Sequence, residues 1–268
     1  MRFATLAFTR RSALLLAALL VTGCANVSRD GGGAEINVMT SGGFTAAYNE
    51  LTPNFERQTG YKVKTAYGAS MGAASDSIPS RLSRGEPVDV VILARPALDA
   101  LVAQGKVVPG SQVDLVRSSI GFAVKKGAPR PDIGTVDALK RTLLAAPSIA
   151  YSASASGTYY ETEMLKKLGI EDQVKPKSRR ILSERVGTIV ARGEAALGLQ
   201  QVSELLPIEG IDYIGPLPAE VQRVTVFSAG VSTTSRSPDA AKQLIRYFTS
   251  APARPAIERS GLEPVATP

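Results

Sequence analysis

Val88-Asp89-Val90-Val91-Ile92-Leu93-Ala94 is a short, nearly continuous apolar run. A strand with one wet face alternates apolar and polar residues, so an unbroken run marks a strand covered on both faces. Downstream, Ala97–Gln104 reads as a helix closed by Gly105. Upstream, Ile36–Thr40 and Lys62–Tyr67 read as strands. Between them Phe44, Ala47, Tyr48, Leu51 and Phe55 recur at helical spacing, and Gly60 follows where a helix would stop. Pro53 is expected to kink that helix or mark its start, and Ser75–Arg84 reads as a further helix.

The alternation continues to the end of the chain. Ser118–Lys125, Ile149–Ser152, Ala196–Gln200, Asp212–Ile214 and Val221–Val231 read as strands. Thr135–Ala145, Thr158–Leu168, Glu184–Arg192, Pro238–Thr249 and Ala253–Ser260 read as helices. Strands alternating with helices predict an α/β architecture with mostly parallel sheets. No internal repeat is present.

The N-terminal segment has a different character. Arg2, Arg10 and Arg11 precede the apolar stretch Ala13–Val21, and Val21-Thr22-Gly23 leads into Cys24, the only cysteine. This order is that of an export signal over 1–23, and Val-Thr-Gly-Cys resembles a bacterial lipobox, in which the cysteine is lipidated. Arg10-Arg11 also hints at twin-arginine export. A membrane span needs roughly 20 apolar residues, about twice what is present. Residues 24–34, rich in glycine, read as a flexible tether. The expected location is periplasmic or cell-surface, with a lipid anchor through Cys24.

Composition excludes several chemistries. The 268 residues contain no histidine, which removes Ser-His-Asp and Cys-His nucleophile systems and histidine-ligated zinc or copper. With Cys24 lipidated, neither a free thiol nor an internal disulfide remains. The net charge is +7, but three of the 31 basic residues lie in the leader, which leaves 28 against 24 acids. That mild excess suits an anionic small molecule and gives no nucleic-acid stripe. No metal and no cofactor are expected.

Four segments carry a resemblance: Ile36–Gly43, Tyr67-Gly68-Ala69-Ser70, Asp89–Ala94, and Val190-Ala191-Arg192-Gly193-Glu194-Ala195-Ala196-Leu197-Gly198. Together they resemble the extracytoplasmic solute-binding proteins of ABC importers, of the molybdate-binding type with the type II periplasmic binding protein fold. The likeness spans nearly all of residues 35–265, and the run from Arg192 to Gly198 is its most specific piece. The resemblance implies two α/β lobes joined by two crossing strands, near Val113–Ser119 and Arg223–Ala229, with a ligand cleft between them. Lobe one is then 35–115 plus 229–268, and lobe two is 118–222.

Such clefts hold anions with backbone N–H groups at helix N-termini and with small hydroxyls. The resemblance places the family's first ligand serine on Gly43, with Ser41 and Gly42 beside it. Its second serine matches Ser70. A backbone amide falls at Ser156, followed by the shared Gly157 and Tyr159, and another backbone ligand falls at Ser183. The family's ligand tyrosine falls on Gln201. Two hydroxyls are thereby lost, and residues 71–79 are longer than the family's turn, which predicts a roomier pocket. Arg185 offers a bidentate partner to a carboxylate. These departures favour a small organic carboxylate over a molybdate-like oxyanion.

The expected function is capture of a small anion and delivery to an ABC-type permease by a monomeric, lipid-anchored protein that is not an enzyme. One alternative is a sensing or scaffold lipoprotein of the same fold without a transporter. A remoter one is a serine hydrolase, since Gly68-Ala69-Ser70-Met71-Gly72 matches Gly-x-Ser-x-Gly. Without histidine, and with no Ser-x-x-Lys, that serine lacks a general base.

Overall fold

The computed structural model describes residues 35–265. The expectations for the export signal, Cys24 and the tether lie outside the described residues. The chain runs from β1 (Glu35–Thr40) through α1 (Gly42–Thr59), β2 (Lys62–Tyr67), α2 (Ile78–Ser83), β3 (Val90–Ala94) and α3 (Arg95–Ala103) to β4 (Val113–Ser118). It then enters β5 (Ile120–Lys125), α4 (Val136–Ala145), β6 (Ile149–Ser152), α5 (Ala155–Tyr159), α6 (Leu165–Lys167) and α7 (Glu171–Val174). β7 (Ser178–Ile181), α8 (Val186–Ala191), β8 (Leu197–Gln201), α9 (Val202–Leu205) and β9 (Ile211–Pro216) follow. The chain closes with β10 (Thr225–Val231), α10 (Pro238–Phe248), α11 (Arg254–Arg259) and β11 (Glu263–Pro264).

Two sheets form, in the orders β11-β4-β10-β3-β1-β2 and β7-β6-β8-β5-β9. Each is the centre of a lobe with its own core. β3 confirms the reading of its sequence: every residue is buried. Val90, Ile92 and Ala94 join Phe44, Tyr48, Phe55 and Phe248 on one face, while Val91 and Leu93 join Ile78, Leu98 and Leu101 on the other. Asp89 enters this run because its carboxylate is fully used. It accepts from the Asn37 N–H at 2.8 Å, the Ser235 hydroxyl at 2.7 Å and the Arg236 N–H at 2.9 Å. Burial pushes the carboxyl up, but these hydrogen bonds outweigh it and hold it below the usual carboxylate range.

The sheets are mixed rather than mostly parallel. β1 pairs in parallel with β2 and β3, whereas β10 runs antiparallel to both β3 and β4, and β5 runs antiparallel to both β8 and β9. Apart from the C-terminal β11, which also runs antiparallel to β4, the reversed strands are those beside the points where the chain changes lobe. A strand leaving one sheet for the next cannot be the tail of a helical crossover, so parallel pairing is not imposed on it.

The chain passes between sheets at Ser119 and at Gln222–Val224; β4 and β10 belong wholly to the first sheet. The positions 115 and 229 expected as lobe limits therefore fall within or beside strands of that sheet. Gln222 ties the two passages together: its Oε1 accepts from the Ile120 N–H and its Nε2 donates to the Ile120 carbonyl, both at 2.9 Å. α1 continues unbroken through Pro53 because Phe44, Tyr48, Leu51 and Phe55 seat both halves in the same core. It ends at Gly60 in the left-handed conformation, φ 79°, whose N–H donates to the Glu56 carbonyl.

Candidate functional site

A cleft of about 430 Å3 lies between the lobes, within the range of organic-ligand pockets, roughly 300–1,000 Å3. The first lobe contributes the first turns of α1 (Gly42, Thr45, Asn49) and the turn after β2. The second lobe contributes Ser152–Ser154 after β6, Leu182–Arg185 after β7, and Gln200 and Glu204 around the β8–α9 junction. Most of these segments are strand ends or helix starts, although the Gly68 and Ala153 N–H groups are already spent on the Thr40 and Ile181 carbonyls.

Among the expected site residues, Gly42, Ser183 and Arg185 line the cleft. Ser41, Gly43, Ser70, Ser156 and Gln201 do not. Ser70 is fully buried beneath the turn, where its Oγ accepts from the Ala94 N–H at 3.0 Å. That also removes it as a nucleophile. Ser156 exchanges a hydrogen bond with Ser152 at 3.0 Å. Ser41 is buried at the start of α1, and its hydroxyl has no partner among the described residues. Gln201 turns to the interlobe passage, where its Nε2 donates to the Thr225 hydroxyl at 2.9 Å. Its neighbour Gln200 faces the cleft instead, since adjacent strand residues point to opposite faces.

The first turn of α1 explains why glycines stand at 42 and 43. A Cβ on Gly43 would overlap the ring of Phe227, which is buried at 2% exposure. A Cβ on Gly42 would overlap Oε1 of Glu204. The space a ligand serine would take at 43 is thus filled by an aromatic ring, and a carboxyl group is packed on the backbone at 42.

The long turn after β2 does not withdraw from the cleft; it spans the mouth. It closes on itself through the Ile78 N–H donating to the Ala69 carbonyl at 3.0 Å and the Ser77 hydroxyl donating to the Gly72 carbonyl at 2.9 Å. Gly68 is required there, because any Cβ would overlap the Asp76 carbonyl. From this turn the Ser70 N–H reaches Ser154 Oγ at 3.3 Å, and Asp76 accepts from the Ser183 hydroxyl at 3.1 Å. The turn is thus bonded to the second lobe at Ser154 and Ser183.

Glu204 is the residue that sequence reading missed. It sits on the four-residue helix α9, is only 8% exposed, and lines the cleft. Its Oε1 accepts from Gln200 Nε2 at 2.8 Å. Burial pushes its carboxyl up to about 7, against the opposing pull of the Arg185 charge and the Gln200 hydrogen bond. The available signal was a lone acid among Val202, Leu205 and Leu206, directly after a buried strand.

Arg185 makes no ion pair among the described residues. The adjacent Glu184 is engaged elsewhere: its carboxylate pairs with Arg192, which also pairs with Glu194. This gives the Arg192-Gly193-Glu194 run a physical role. It draws the neighbouring acid away and leaves one guanidinium facing the cavity with its donors free. The exposed network contributes little stability by itself. No group of three or more potential metal-ligating side chains occurs among the described residues.

A pH dependence follows from Glu204. Its carboxyl is raised from 4.5 to about 7 on folding. The stability tied to its neutral form is fully present below about 4.5 and is lost as pH rises through 7. At 1.36 kcal/mol per unit this amounts to about 3 kcal/mol. Urea unfolding of ligand-free protein at pH 5 and pH 8 is expected to show that loss, and Glu204→Gln is expected to flatten it by a similar amount. Equal slopes for the two proteins would contradict the burial assigned to this carboxyl.

Comparison with known proteins gives a consistent family picture. Residues 36–263 match the family described as bacterial extracellular solute-binding protein. A Pseudomonas protein named aconitate isomerase is 45% identical over 230 residues, which are 86% of this chain and 88% of the relative. The molybdate-binding protein ModA of Azotobacter vinelandii is 27% identical, over 85% of this chain and 89% of its own. The solved structure of the Azotobacter vinelandii periplasmic molybdate-binding protein superposes with a TM-score of 0.69 at 21% identity, covering 87% of this chain and all of that one. The 45% identical relative corrects the expectation that the chain is not an enzyme. That expectation weighed only histidine- and cysteine-based nucleophiles and histidine-held zinc or copper, and acid–base chemistry by carboxyl groups needs neither histidine nor cysteine.

Proposed function

Because the chain belongs to the bacterial extracellular solute-binding protein family, in which its 45% identical relative is named an isomerase, we propose that its cleft captures aconitate or a closely similar unsaturated tricarboxylate and interconverts its geometric isomers. The observation that carries this reading is that Arg185, a guanidinium with no ion pair among the described residues, and the buried carboxyl of Glu204 line one interlobe cleft. A tetrahedral oxyanion needs hydroxyl and N–H donors alone. A polycarboxylate also gains from a planar, bidentate cation. Ser154, whose Oγ accepts from the Ser70 N–H and keeps its own hydrogen, and the N-terminus of α1 supply further donors around it.

The reading places the protein outside the cytoplasm, tethered through Cys24. Capture of the same anion for an ABC-type permease draws its support from the molybdate-binding relative, and it is compatible with isomerisation. The test is proton NMR of one pure geometric isomer of aconitate incubated with purified protein. Appearance of the other isomer, approached from either side to the same final ratio, is the expected result. A spectrum unchanged at stoichiometric protein would refute isomerisation. Calorimetry with aconitate, citrate, molybdate and sulfate reads binding separately, and tighter binding of the tricarboxylates is expected.

A further inference from the structure

We propose that Glu204 is the catalytic residue that takes a proton from one end of the substrate's three-carbon unit and returns it to the other. The assignment rests on the isomerase reading above and deepens it. The chemistry requires such a group. The geometry of a carbon–carbon double bond is fixed until its π bond is undone, and a base beside an activated methylene does that without oxidant or reductant.

Aconitate carries a CH2, a central carbon and a CH, each bearing a carboxylate. In the base form, Glu204 accepts a proton from the CH2, and that C–H bond breaks. Its electron pair becomes the new double bond to the central carbon. The former π pair moves to the far carbon and spreads onto the carboxylate there. Glu204, now the acid, returns the proton to that carbon, which becomes the new CH2. One proton leaves and one returns, and every electron pair is accounted for. Which geometric isomer forms depends on how the original CH2 arm was turned in the cavity.

The structure singles out Glu204 by position. The other acids and the tyrosine that line the cleft are committed elsewhere. Glu184 pairs with Arg192, Asp76 accepts from Ser183 at the mouth, and the exposed Tyr67 donates to Asn49 Oδ1 at 2.7 Å. Of these groups Glu204 alone is buried, and among the described residues only its Oε1 has a hydrogen-bond partner. Gly42 leaves the room its carboxyl occupies. A carboxyl in such a site titrates near neutrality, so both its forms are accessible during turnover. Arg185, whose charge acts on the same carboxyl, faces the same cavity and meets the charge that the carbanion spreads onto carboxylate.

The experiment compares wild type with Glu204→Gln and Glu204→Asp in deuterated buffer, following isomerisation, deuterium uptake at the substrate CH2, and binding by calorimetry. Glutamine keeps the volume and the Gln200 contact and cannot accept the proton. Turnover and deuterium uptake are expected to fall by roughly 100-fold or more, with the dissociation constant within about threefold of wild type. Glu204→Asp, one methylene short, is expected to bind equally and turn over slowly. Turnover in Glu204→Gln within a few-fold of wild type would overturn the assignment. So would loss of binding in both variants, since Glu204 would then hold substrate or structure rather than a proton. A wild type that binds aconitate and leaves it unchanged would remove the isomerase reading, and this assignment with it. An active wild type with an active Glu204→Gln would remove the assignment alone.

Discussion

Arg185→Ala is expected to weaken aconitate binding by about a hundredfold, measured by calorimetry at neutral pH. Among the described residues Arg185 is the one guanidinium that lines the cleft, and it makes no ion pair there, while Arg192 holds the adjacent Glu184. Removing the cationic partner of a buried, hydrogen-bonded charge pair costs about 2–5 kcal/mol. A loss of about 3 kcal/mol is the hundredfold change expected. Arg185→Lys is expected to recover only part of it, since an ammonium lacks the planar fork that matches a carboxylate. The melting temperature without ligand is expected to stay close to wild type, because Arg185 is half-buried and makes no ion pair among the described residues. Wild-type affinity in Arg185→Ala would show that the carboxylates lie elsewhere.

Gly43→Ser is expected to destabilise the protein by about 3 kcal/mol, and it will not create an oxyanion site. The added Cβ falls inside the ring of Phe227, a residue of the first-lobe core at the start of the return strand β10. Overpacking of a well-filled core typically costs about 1–3 kcal/mol, and an aromatic ring among Phe44, Tyr48 and Phe248 has little room to retreat. Phe227→Ala in the same chain is expected to recover part of the loss, less the cost of the cavity it opens. Urea unfolding of the two single variants and the double variant measures the coupling. A stable Gly43→Ser protein with gained molybdate affinity would show that Phe227 yields, and that the missing serine alone separates this cleft from an oxyanion pocket.

Much of the fold was legible because it rests on patterns that burial imposes locally. The run from Val88 to Ala94 could only be a strand with both faces covered, and helix ends were marked by Gly60 and Gly193, both in left-handed geometry. The parallel-to-antiparallel change at β5 and β10 was not legible, since it depends on where the chain crosses between lobes rather than on any local pattern. Short elements escaped as well. β7 and α9 are four residues each, too brief for a period to declare itself.

The site was legible in outline. Segments beside Gly43, Ser70, Ser156 and Ser183 lie at one cavity, and Gly42, Ser183 and Arg185 line it. The details depend on tertiary packing. Ser70 turns inward to the Ala94 N–H, and the alternation along β8 brings Gln200 rather than Gln201 to the cleft. Glu204 was invisible because its meaning lies in its surroundings. A glutamate on a short helix is ordinary until Gly42 is seen to make room for its carboxyl and Gln200 to bond it.

A crystal structure of the protein with aconitate bound tests the account most directly. It is expected to show a ligand carboxylate against the Arg185 guanidinium, and the Glu204 carboxyl about 3–3.5 Å from a carbon of the CH2–C=CH unit, the separation of groups poised to react. Aconitate seated outside this cleft, or held in it with Glu204 turned away from those carbons, would contradict it.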